Sequence, residues 1–200
     1  MSDWQMRYRR WKHGRLFARL GGGVQFLGKR LEVKGHVELG DRCIIHENVV
    51  LRTHRQGKLL FGDEVEIADN ALIQCNARFE AGSGTRIGEH VVIRDTDHVM
   101  RGTDAHWRLT PHITEAIVIG PGCYIGPHVY IGRGVRIGEG AAIAPGSVIT
   151  KEVGPWEIWA GYPAVRVAHR TEKTLFSSLR RHLDLVAMFG VTAPADEETA

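Results

Sequence analysis

Cysteine is scarce in this 200-residue chain: Cys43, Cys75 and Cys123 are the whole complement, and no two stand as CxxC. An odd, sparse set excludes a disulfide framework and fits a reducing compartment, so a cytoplasmic location is expected. Long apolar runs are lacking too. The longest hold four or five residues, against the ~20 needed to cross a bilayer, so no helical membrane span is expected. The N-terminus is basic but no apolar stretch follows it, which argues against a signal peptide. Acidic residues are nearly missing from residues 1–20, where Asp3 alone faces Arg7, Arg9, Arg10, Lys12, Arg15 and Arg19. That arm carries +5 of a chain whose net charge is +3, leaving −2 for the remainder. A nucleic-acid-binding body is therefore not expected. Apolar residues at 43% and charged ones at 24% exclude wholesale disorder.

Glycine, by contrast, is plentiful, at 24 residues, and it is ordered. From Ile119 the chain reads IGPGCY-IGPHVY-IGRGVR-IGEGAA-IAPGSV-ITKEVG, a strict period of six. The aliphatic column is Ile119, Ile125, Ile131, Ile137, Ile143 and Ile149. Read backward, the frame predicts Leu27, Val33, Leu39, Ile45 and Leu51, then Phe61, Ile67, Ile73 and Phe79, then Ile87 and Ile93. All seventeen positions are large and apolar. An internal repeat of this strictness outranks local propensity.

A six-residue unit is one short strand plus one turn, and three units close a triangular coil. Coils stack at the ~4.8 Å spacing of paired strands, so seventeen units predict between five and six coils. The interruptions must leave the prism as loops: four extra residues in 53–60, two near 83–86, and about twenty in 97–116. A long loop on a rigid scaffold commonly carries function. Outside the array, residues 2–20 read as a helix ended by Gly21, Gly22 and Gly23. Residues 171–189 read as a second helix with Thr171 at its N-cap and Gly190 as its stop. The expected organisation is a basic arm at 1–23, a repeat domain at 24–165, and a C-terminal helix and tail at 166–200.

The hexapeptide array, the run Asp95-Thr96-Asp97-His98 opening the long loop, and the closing Ala160-Gly161-Tyr162-Pro163-Ala164 resemble the hexapeptide-repeat acyltransferases. The sugar O-acetyltransferase branch, which includes polysaccharide-modifying enzymes, is the most similar. This resemblance implies a left-handed parallel β-helix, a homotrimer, and acetyl-CoA as acyl donor in a groove between neighbouring prisms. It also implies an acetyl transfer to a sugar hydroxyl.

Such a transfer needs a base for the hydroxyl proton, and an imidazole titrates near neutrality. Among eleven histidines, His98 closes the last unit before the long loop and matches the family's catalytic histidine. Asp95 and Asp97 either orient its ring or are ordinary solvated loop acids. Ala141 and Trp159 match positions whose backbones face the pantetheine arm. Arg166 and Arg170 are candidates for the 3′-phosphate of CoA, although Val165 departs from the basic residue that usually follows the AGxPA ending. Trp159 is also a departure, since a small residue is usual there. Asn76 falls near an acceptor-site position, and a turn slot explains it equally well.

His90 and His128 stand three units apart once the loop is removed, so they are expected to stack on adjacent coils. The γ-class carbonic anhydrases bind metal with histidines on neighbouring coils. The same fourth position is held by Asn48, Asn70, Asn76, Gly82, Gly122, Gly134, Gly140 and Gly146 in other units, however, the composition of a turn with positive φ, so no metal is expected. Cys43 and Cys123 fall on the small inward position, and Cys75 on a more exposed one. The basic arm, with Trp4, Tyr8 and Trp11 on one face, either caps the open end of the coil or makes peripheral contact with an anionic membrane. A non-catalytic β-helical assembly module is the alternative to an enzyme.

Overall fold

The computed structural model describes residues 3–54, 56–102 and 104–171. The expected C-terminal helix lies outside them, beyond Thr171. The described chain is a parallel β-solenoid of about seven turns whose strands form three sheets of six, eight and six members. Each strand hydrogen-bonds to the equivalent strand one turn away, so Ile45 pairs with Ile67 and Tyr124 with Ala142. The period of six becomes structure because the bulky residue of each unit points inward while the next residues turn the corner. Cys43, Val49, Val65, Val91, Val129 and Ala141 are the smaller inward residues that let each corner tighten.

The inward column departs from the expected one at two places. Phe26 is buried and pairs beside Ile45, while Leu27 is exposed. Seven residues rather than six separate Phe26 from Val33, so backward extrapolation slips by one. Ala81 takes the column position beside Phe61 and Ile119, and Phe79 pairs one step earlier, with Leu59 and Ile117. The two extra residues consequently fall between Ile73 and Ala81, not near 83–86. The insertions of four, two and about twenty residues then all lie on the same edge of the prism, where the third sheet hands the chain to the first.

The long insertion is an ordered antiparallel hairpin, Thr96–His98 against His112–Thr114, with a 3-10 turn at Trp107–Leu109 between them. Helix α1 spans Asp3–Gly14 and stops there, and solenoid pairing already begins at Arg19–Leu20. The first coil has no coil beneath it, so its outer carbonyls need donors. Arg10 supplies them to Val24 and Gly21 at 3.1 and 2.9 Å, and Arg9 reaches Leu27. The rings of His13 and Phe17 close over Phe26 at 5.5 and 5.8 Å. The arm is thus a cap. At the other end, Glu157–Gly161 adds in parallel to the second sheet and Ala164–His169 folds back antiparallel on it. Among the described residues, no helix is long and apolar enough to cross a membrane.

Candidate functional site

Asp95 follows the strand Val92–Arg94 and is 1% exposed. Its carboxylate accepts the backbone N–H groups of Asn76 and Ala77 at 2.8 and 2.7 Å, and the Thr96 hydroxyl at 2.7 Å. The Cys75 thiol donates to it at 2.7 Å. Charge-assisted bonds of this kind are about twice as strong as neutral ones. The carboxylate therefore clamps the corner 75–77 of the coil below to the root of the hairpin. Cys75 is buried, contrary to expectation, because its strand runs Leu72–Cys75 and alternation turns residue 75 inward after Ile73. Burial, then the hydrogen bond to Asp95, pushes the Cys75 thiol far above its ordinary range.

Asp97 sits opposite Ile113 in the hairpin, and its carboxylate lies 3.3 Å from Nε of Arg133, which also reaches Glu115. Asp97 follows Ile93 by four residues, the spacing of the small inward position, but it does not point into the core, because the chain has left the prism for the hairpin by that residue.

His98 pairs across the hairpin with His112, and the two rings lie 4.2 Å apart. Its Nδ1 is 3.0 Å from Oγ1 of the buried Thr110. Thr110 and His112 had no signal in the sequence, since a twenty-residue insertion has no period from which a pairing register follows. The structure thus gathers His98, Asp95, Asp97 and Asn76 on one edge of the prism, with Asp95 tying the Asn76 backbone to the strand that leads to His98.

The four residues expected around CoA gather elsewhere, on the second sheet at the C-terminal end. Ala141 is buried, and its carbonyl accepts the Tyr124 N–H at 2.9 Å. Trp159 pairs with Ile143 and packs against the core, the last inward residue of the second sheet's column. Its size closes the open top of the prism. Its Nε1 donates to Glu157 at 2.9 Å, and Arg166 pairs with the same carboxylate at 3.0 Å. Burial pushes Glu157 up, but the hydrogen bonds from Trp159 and Gly154, with the Arg166 charge, hold it below the usual range. Arg170 donates to the Gly140 carbonyl and sets its guanidinium 5.3 Å from the Trp156 ring centre. Both arginines therefore have partners within the chain.

His90 and His128 stack with ring centroids 4.7 Å apart and planes 3° from parallel. They extend a corner ladder. Asn48, Asn70, His90 and His128 all have φ between 57° and 60°. Asn48 donates to Asn70 at 2.8 Å, and Asn70 approaches His90 at 3.5 Å. Left-handed turn geometry, repeated coil upon coil, accounts for these side chains. Among the described residues, no group of three His, Cys, Asp or Glu side chains is placed to hold a metal.

Residues 116–151 match the family model described as bacterial transferase hexapeptide (six repeats). The fold is that of the hexapeptide-repeat acyltransferases. One solved member with this fold is AntD, an N-acyltransferase from Bacillus cereus in complex with dTDP and 3-hydroxybutyryl-CoA. It is 18% identical, covers 92% of this chain and 97% of its own, and has a TM-score of 0.72. The hexapeptide-repeat acetyltransferase VCA0836 of Vibrio cholerae, complexed with acetyl-CoA, is 22% identical over 83% of this chain and 79% of its own, with a TM-score of 0.56. A maltose O-acetyltransferase of Clostridium difficile is 18% identical over 86% and 80%, at 0.59. Among curated proteins, none matches the sequence significantly. The parallel β-solenoid is the frame that this chain shares with them.

Proposed function

We propose that the protein is an acyl-CoA-dependent acyltransferase that acetylates a sugar hydroxyl, with His98 as general base. One observation carries this reading: His98 stands at the exit of a rigid coil, on an ordered hairpin, with Nδ1 against Thr110 Oγ1 at 3.0 Å. A neutral ring whose Nδ1–H donates to Thr110 keeps its lone pair on Nε2, the arrangement a base requires. Acyl-CoA, when bound, supplies the activated acyl group. His98 takes the proton of the acceptor hydroxyl through Nε2 as the hydroxyl oxygen bonds to the acyl carbon. It then returns that proton to the departing sulfur. Asp95 holds the hairpin root throughout.

Arg166 and Arg170 suit the phosphates of the donor, being half-exposed or surface-directed cations at one end of the second sheet. That sheet lies across the prism from the edge bearing His98. A site using both sets of residues therefore needs two copies of the chain, which supports a homotrimer with the donor between prisms. AntD, an N-acyltransferase one of whose structures is in complex with dTDP-4-amino-4,6-dideoxyglucose and coenzyme A, supports an amine acceptor as the second reading.

Thiol release from acetyl-CoA, measured over sugar and amino-sugar acceptors, tests these readings together. His98→Ala should lower kcat by roughly a hundred- to ten-thousand-fold with KM for acetyl-CoA nearly unchanged. His90→Asn and His128→Asn should be silent, since Asn fits the same turn. Wild-type turnover in the His98 variant would overturn the assignment, and a monomer active at all concentrations would overturn the shared site.

A further inference from the structure

Helix α1 is amphipathic in an unexpected sense. At ~100° per residue, Arg9, Arg10 and His13 form one stripe, and Trp4, Tyr8, Trp11 and Arg15 form the opposite one. The first stripe faces the solenoid, since Arg9 and Arg10 bond its carbonyls and His13 covers Phe26. The aromatic stripe faces outward, with Trp4 71%, Tyr8 47% and Trp11 60% exposed. A helix that served only as a cap would have no reason to place three large rings in water. Arg7 and Lys12 flank these rings and are also exposed. Leu16, at the end of the same segment, is exposed as well.

We infer that this outer face of α1 is a docking surface for an anionic lipid membrane, laid flat on the interface. Three features select that occupant. First, charge: Arg7, Lys12 and Arg15 are exposed on or beside this face, and Asp3 is the only acid in residues 1–20, so the face offers a positive surface to a negative plane, and a second copy's equally basic face is repelled. Second, ring chemistry: Trp and Tyr have apolar bodies with one polar group each, which suits the membrane–water boundary. Third, ring packing. Trp4 and Tyr8 stack on each other at 5.7 Å and 10°, and the Arg15 guanidinium lies 4.3 Å over Trp11. Ring faces occupied in this way are poorly placed for stacking with nucleic-acid bases, whereas their apolar edges remain presented to a lipid boundary. The helix is anchored through its other face, so docking requires no unfolding of the cap. This surface is independent of the acyl-transfer reading and holds whatever the acceptor.

Flotation of the full-length chain with vesicles tests the inference. Binding is expected to phosphatidylcholine vesicles containing phosphatidylglycerol or phosphatidylserine, not to pure phosphatidylcholine, and should weaken as salt is raised. Arg7→Gln, Lys12→Gln and Arg15→Gln should each weaken binding by roughly fivefold. The variant Trp4→Ser/Tyr8→Ser/Trp11→Ser should lose binding while keeping the wild-type melting transition, because none of the three contributes to the cap contact. Failure of the full-length chain to float with anionic vesicles overturns the inference. So does undiminished flotation of the triple variant with an intact fold, or high-affinity binding to single-stranded oligonucleotides in place of vesicles. If the triple variant unfolds, the charge variants alone decide, since Arg7, Lys12 and Arg15 are exposed.

Discussion

Replacing Asp95 separates a structural clamp from a chemical participant. In Asp95→Ala the N–H groups of Asn76 and Ala77 lose their acceptor, and so do the Thr96 hydroxyl and the buried Cys75 thiol. A buried donor left unsatisfied costs about 1–3 kcal/mol, and water entering the space vacated by the carboxylate offsets part of the sum. The expected loss is about 3–5 kcal/mol, the size seen when a buried polar network is broken. Asp95→Asn keeps one acceptor oxygen and should cost about half as much. Urea unfolding followed by circular dichroism gives both values from the midpoint, with the slope unchanged. On the proposed function, the kcat–pH profile of the folded variant should keep its wild-type shape, because the ring of His98 is held by Thr110. A loss below about 1 kcal/mol, or a displaced kcat–pH profile, would refute the clamp and return Asp95 to the chemistry.

The cap should be acid-sensitive. Burial, then the charges of Lys12 and Arg9, lowers the His13 pKa below the ordinary 6.5. The unfolded chain therefore binds the proton first, and stability present at neutral pH is lost as pH falls below about 6.5. Melting at pH 7.5 and 5.5 should show this, and His13→Leu should flatten the difference. Thr110→Val should lower kcat by roughly ten- to a hundredfold and shift the pH profile, while Thr110→Ser restores both, since only a hydroxyl at that site sets the tautomer. All three cysteines are buried with thiol pKa values raised chiefly by burial, so a thiol reagent should label none of them in the native state at pH 8. Labelling without denaturant would show that a corner of the solenoid opens.

The repeat was legible wherever an Ile is followed by Gly and a small inward residue stands four positions on, as in the four units from Ile119 to Ile137. It failed where two apolar residues adjoin, since Phe26 and Leu27 both satisfy a period of six from different starting points. It failed again at Ala81, too small to stand out beside Phe79. The place of the long extrusion was legible from its break in period, and with it the position of His98 where the chain leaves the coil. The partners of the site were not. Thr110, His112 and the Arg133–Asp97 pair depend on a hairpin register that no local pattern specifies. The inward arginines of α1 were hidden for a different reason. Hydrophobic patterning assumes that a helix docks on apolar surface, whereas the end of a solenoid offers a row of carbonyls.

The three large insertions share one edge of the prism, and this gives the chain an economy of variation. A corner of any coil is geometrically equal to any other, so inserted residues on the remaining edges would leave the strand ladder equally intact. Confining them to one edge keeps two edges as fixed rulers and makes the third a column of separately adjustable fittings. Lengthening or trimming the segment around residues 54–57 should alter what that edge admits without moving His98, whose hairpin leaves the same edge two coils further along. Recognition at that edge can in this way drift by changes of loop length alone, while the inward column that holds the scaffold together stays under its own, unaltered constraint.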